Sequence, residues 1–157
     1  TGPVIIGTVG TQDRMDTTVL GDVVNLASRL EKLTKKYQVK IICSSYTLDL
    51  LDSASGTLTR ELDYVKVRGK QKAVRIYEIF NADEENVRIL KQRLLLDYQQ
   101  GMALYYRRCW KDAAERFRLC LDIFPGDVPS RLYLTRCRDY EASPPPDDWD
   151  FSWKLED

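Results

Sequence analysis

The stretch RMDTTVLGDVVNLASRLE, Arg14 to Glu31, decides how this chain folds. From Asp22 onward apolar residues recur at helical spacing, at Val23, Leu26, Ala27, Leu30, Leu33 and Tyr37, which predicts a helix over 22–37 with Asp22 as its N-cap. Asn25 and Arg29 stand one turn apart, together on the face opposite that stripe. An amide beside a guanidinium can bind a sugar hydroxyl and a phosphate oxygen at once, and the Arg fork never loses its charge. By spacing alone, a solvated helix face with a local Arg–Glu pair explains the pattern as well.

Strands flank the helix. Val4 to Val9 is β-branched and bounded by glycines, Lys40 to Ser44 is a short apolar strand, and Ser45 to Leu51 is expected to be helical. Thr57 to Val67 and Ala73 to Phe80 read as two strands joined by a turn at Arg68-Gly69-Lys70. Alternation of strand and helix indicates a layered domain rather than a bundle. A natural domain seldom begins inside a core strand, so a chain opening on TGPVIIGTVG is expected to be a piece of a longer protein.

Beyond Asn81 the strand signals vanish, and Glu84–Arg108, Lys111–Phe124 and Ser130–Tyr140 are predicted helices. Gly101, Ala113, Phe117 and Pro125 fall at the small–small–aromatic–proline spacing of a tetratricopeptide repeat, whose period is roughly 34 residues. A lone repeat cannot bury its own face and must pack on something else. The tail from Ser143 to Asp157 starts with three prolines, which exclude a regular helix, and carries Trp149, Phe151 and Trp153, which are expected to dock.

Composition narrows the function. The 157 residues balance 24 Lys+Arg against 24 Asp+Glu, which argues against a globally basic nucleic-acid binder. No apolar run approaches the roughly 20 residues that span a bilayer. Histidine is absent, which removes His general bases, Ser-His triads and most catalytic zinc sites. Cys43, Cys109, Cys120 and Cys137 are dispersed without a CxxC, so reduced thiols in a cytoplasmic core are expected.

The Arg14–Glu31 stretch resembles the class III nucleotidyl cyclases, in which a glycine, an acid or amide and V-N-x-A-x-R-L-E open the helix that reaches the active site. TGPVIIGTVGT is similar to the strand that leads into their dimerisation arm, and Val65 to Tyr77 to their closing hairpin, so the resemblance covers about residues 1–80. It implies attack of a ribose 3′-hydroxyl on the α-phosphorus, giving a cyclic monophosphate and pyrophosphate. Asn25 would orient the ribose and Arg29 would stabilise the α-phosphate in the transition state. Thr18 occupies the purine-facing position and resembles the bicarbonate-responsive subclass that uses ATP, although a hydroxyl both donates and accepts and leaves the base open. Lys70, or Arg68 beside it, resembles the basic residue near the triphosphate, and Arg14 is a further phosphate candidate.

The family's two metal-binding aspartates and its purine-reading lysine belong to upstream motifs that do not occur here. Asp13, Asp16 and Asp22 sit at the arm and helix cap and are not promoted to metal ligands. The resemblance therefore implies Mg or Mn in the intact enzyme, with no ligands in this chain, and a homodimer partner that completes the ATP site.

The expected fold class is α+β, a partial ferredoxin-like cyclase domain (its C-terminal half, 1–80). An all-α tetratricopeptide-like hairpin (81–142) and an irregular Pro/Trp tail (143–157) follow. The chain alone is expected to be inactive, and strand edges left bare in half a sheet would favour oligomers. Alternatives are a non-catalytic interaction module, whose helical segment binds a protein partner, or a degenerate regulatory cyclase domain. A cytoplasmic location is expected, with any membrane anchor lying outside this chain.

Overall fold

The computed structural model describes residues 1–11, 14–51, 56–66 and 73–154. Strands β1 (Ile5–Thr11) and β2 (Arg14–Leu20) pair antiparallel as a separate two-stranded sheet, from Ile5 opposite Leu20 to Thr11 opposite Arg14. Periodicity predicts β1 but not β2. The polar run Asp16-Thr17-Thr18 carries no strand pattern of its own and is extended because β1 pairs with it.

Helix α1 (Asp22–Tyr37) follows directly. Its N-cap is Gly21 and not, as the sequence suggests, Asp22; no side chain caps the helix, and Asp22 lies in its first turn, where an acid favours the helix dipole. Gln38, in the left-handed region at φ 52°, closes the other end.

A second sheet has the order β3-β5-β4-β6, built from β3 (Ile42–Ser44), β4 (Thr59–Lys66), β5 (Ala73–Ile79) and β6 (Trp153–Lys154). Helix α2 is a single turn, Ser45–Leu48, shorter than the periodicity predicts. The turn predicted at 68–70 lies outside the described residues. Strand β4 carries a bulge between Glu61 and Asp63 in its pairing with β5, so Leu62 and Asp63, adjacent in sequence, are both buried.

Three helices complete the chain: α3 (Glu85–Tyr106), α4 (Trp110–Ile123) and α5 (Val128–Ala142). At Gly101 a Cβ would stand 3.0 Å from the Phe117 ring, so the missing side chain is what lets α3 and α4 close on each other. Helix α5 starts two residues earlier than periodicity predicts. The Asp127 carboxylate caps it by accepting from the Ser130 amide at 3.1 Å, and Pro129 fits the first turn.

Leu94, Tyr98, Tyr105, Phe117 and Tyr133 form a core inside the helices, against which Trp149 and Phe151 of the tail pack. Leu30, Leu33, Tyr37, Leu62, Val65 and Ile76 form another between α1 and the sheet, and Leu132 of α5 reaches it. Arg108 holds the tail by donating to the carbonyls of Pro145, Pro146 and Asp147. Trp153 and Lys154 then run parallel to Val65 and Lys66 of β4.

Cys43, Cys120 and Cys137 are buried and Cys109 is half-buried. Burial pushes the Cys120 and Cys137 thiols up to about 12, so their thiolate fraction at pH 8 is about one in ten thousand. Iodoacetamide at that pH is expected to label Cys109 in the native chain and to spare Cys120 and Cys137 until denaturant is added. Mass spectrometry that finds either one alkylated before unfolding would contradict this packing.

Candidate active site

The chain must turn sharply from β2 into α1, and Gly21 makes the turn. Its φ of 155° suits glycine, and a Cβ there would stand 3.2 Å from the Pro3 carbonyl oxygen. The Gly21 carbonyl accepts from the amides of Val24 and Asn25, which starts the helix. Leu30, Leu33 and Tyr37 are buried against the sheet while Asn25 is exposed and Arg29 half-buried. One side of α1 is thus anchored, and the amide and guanidinium lie off that side within one turn.

Thr18 sits on β2, opposite Gly7 of β1 and half-buried, three residues before the Gly21 turn. Arg14 opens β2 opposite Thr11. Arg68 and Lys70 lie outside the described residues. The structure therefore brings Asn25 and Arg29 together on one helix and sets Thr18 on the strand that feeds it. Among the described residues no group of three Cys, Asp or Glu could hold a metal ion.

A family model for the adenylate and guanylate cyclase catalytic domain matches residues 1–81. The chain belongs to this cyclase family. It is 46% identical over 138 residues to the terminal-differentiation specific adenylate cyclase of Dictyostelium discoideum, a match covering 87% of this chain and 6% of that protein. An adenylate cyclase of Anabaena cylindrica is 44% identical over 79 residues, covering 50% of this chain and 16% of the relative. Adenylate cyclase 1 of Rhizobium meliloti is 34% identical over 79 residues, 50% of this chain and 12% of the relative. The chain thus spans under one fifth of the length of any of these three cyclases. The Dictyostelium match is longer than the family match, so it takes in part of the helical segment as well.

Between the sheet and the C-terminal helices runs a buried charged seam that the sequence does not announce. Arg60 of β4 faces Glu78 across the strand pair, donating through Nε at 2.6 Å, and grips Asp127 through both terminal nitrogens at 3.0 and 2.7 Å. Lys91 of α3 bonds Glu78 and Asp83. Burial works against the charge on Arg60, yet Asp127 and Glu78 outweigh it and raise its pKa further. Burial likewise opposes ionisation of Asp127, but Arg60 and Ser130 more than compensate and hold its carboxyl below the ordinary aspartate range. The partners are 18 and 67 residues apart, so no local period reveals them.

Proposed function

We propose that residues 1–80 supply the ribose- and phosphate-gripping half of an adenylate cyclase site that converts ATP to 3′,5′-cyclic AMP and pyrophosphate. The observation that carries this reading is α1 itself, anchored along its apolar side while Asn25 and Arg29 stand off that side one turn apart. In the reaction a bond forms from the ribose 3′-oxygen to the α-phosphorus, the bond from that phosphorus to the bridging oxygen breaks, and the hydroxyl proton passes to solvent. Negative charge grows on the α-phosphate, so a fixed Arg29 guanidinium gains strength as the transition state forms. Asn25 bonds the ribose and fixes the angle of attack.

Thr18 faces the purine, and Arg68 or Lys70, with Arg14, meets the triphosphate. Mg or Mn, when bound, supplies Lewis-acid charge at the phosphates from ligands outside this chain. A second copy completes the site head to tail. Residues 81–142 serve as a tetratricopeptide-like helical segment, which the close Gly101–Phe117 contact supports, and 143–157 as a Pro/aromatic acidic tail.

The test is direct. The 157-residue chain with Mg- or Mn-ATP is expected to make no cyclic AMP, whereas the full-length protein should. Metal-dependent turnover by the chain alone, or none by the full-length protein, would overturn the assignment.

A further inference from the structure

The bulge in β4 has a specific result. It turns Asp63 inward beside Leu62, between the end of α1 and the face of α5. There its carboxylate accepts from the Tyr37 hydroxyl at 2.5 Å, from the Arg136 guanidinium at 2.7 Å and from the Tyr133 hydroxyl at 3.2 Å. Tyr133 shares its single hydroxyl hydrogen between Asp63 and the Leu62 carbonyl, the latter at 3.0 Å, so α5 meets the bulge at both backbone and side chain. Arg136 is itself held between two rings, its guanidinium carbon 5.0 Å from the centre of Tyr133 and 4.0 Å from the centre of Trp153. Tyr37 is the last residue of α1, the helix that carries Asn25 and Arg29. Burial, with Asp63 alongside, pushes its phenol far above the ordinary value, so it stays a donor.

We propose that Arg136 and Asp63 are positioning residues which, through Tyr37, fix the rotation and tilt of α1, so that helix α5 and the tail strand form part of the catalytic scaffold. The coupling runs from Trp153 through Arg136 and Asp63 to Tyr37, a continuous line of contacts from the tail to the site helix. The Tyr64 amide also donates to Asp63, at 2.9 Å, and a carboxylate so fully engaged has one good geometry, so that displacing the Tyr37 or Arg136 donor frees the helix end it holds. The family model's match stops at residue 81, yet two of the four groups in this line lie beyond it. The part of the inference that concerns catalysis rests on the function proposed above.

Two variants separate positioning from simple loss of stability. Tyr37→Phe removes one hydroxyl and no packing volume, and Arg136→Met removes the charge but keeps much of the stem. Hydrogen exchange is read in the 157-residue chain at the amides of residues 26–33 of α1, with residues 113–120 of α4 as the internal control. Each variant is expected to speed exchange in α1 by about tenfold, the weight of one charge-assisted hydrogen bond, with α4 unchanged. Equal acceleration in both helices, or none in α1, overturns the proposal. In the full-length protein the same variants should lower kcat by about tenfold and leave KM for ATP within about twofold. Variants that loosen α1 but keep full kcat also overturn it. If the unsubstituted full-length protein makes no cyclic nucleotide, the cyclase assignment fails, while an α1-specific exchange effect still supports the positioning of the helix.

Discussion

Arg29→Ala in the full-length protein is expected to lower cyclic AMP formation by about two to three orders of magnitude, the usual cost of deleting one donor aimed at developing charge. Affinity for ATP should change by no more than about threefold, because the ground-state triphosphate keeps its other cations. The asymmetry follows from where the charge appears. On the proposed mechanism the α-phosphate carries the same charge before attack in water as on the protein, and Arg29 would gain its advantage only as the new bond to the 3′-oxygen forms. Arg29→Lys keeps the charge but loses the fork, and should recover only part of the rate. Steady-state rates with a separate equilibrium titration of a non-hydrolysable ATP analogue decide the matter. A variant that loses binding and rate in equal proportion would make Arg29 an ordinary anchor, and one that loses neither would remove it from the site.

The largest expected effect on stability belongs to Asp127. It meets both terminal nitrogens of Arg60 and also caps α5 through Ser130. In Asp127→Ala the Arg60 charge remains buried with Glu78 as its carboxylate partner, and removing one member of such a buried pair costs about 3–5 kcal/mol. Asp127→Asn separates the two roles. Asparagine still caps a helix, so it should exceed the alanine variant by about 1 kcal/mol while sharing the loss of charge.

The sign of the pH dependence is fixed by the direction of the Asp127 shift. Its carboxyl is held below the ordinary range in the folded chain, so its contribution is complete above about pH 4, the unfolded value, and disappears as pH falls through the folded value. Urea unfolding should therefore show a wide gap between the native chain and Asp127→Asn at pH 7 that narrows on acidification toward pH 3. A gap that stays constant over that range would mean that the ionised carboxylate contributes nothing to the fold.

Much of α1 was legible because its information is local. The apolar spacing of Leu26, Leu30, Leu33 and Tyr37 fixes which side is buried, and that alone places Asn25 and Arg29 on another side. Strand β2 was not legible, since its extension comes from pairing with β1 and not from its own residues. The sequence points to Asp22 as N-cap because aspartate is the commoner cap, whereas the positive φ of the turn puts glycine there, one residue earlier. Asp63 was hidden more thoroughly. Strict alternation sends neighbours on a strand to opposite faces, and only the bulge buries Leu62 and Asp63 together. For Asp127 a signal existed: aspartate followed by Val-Pro-Ser is an N-cap pattern. What the pattern could not convey was the arginine 67 residues away that shares the same carboxylate.

The distribution of indoles has a practical result. All three tryptophans, Trp110, Trp149 and Trp153, fall in the C-terminal 48 residues, from 110 to 157, and the hairpin and α1 contain none. Intrinsic fluorescence is therefore blind to the hairpin that precedes α1. Trp153, stacked on Arg136 of α5 and paired beside Val65 of β4, joins the helices to the sheet. Its emission should shift when the two halves part, and a far-ultraviolet dichroism midpoint that coincides with it would mean the halves melt as one cooperative unit.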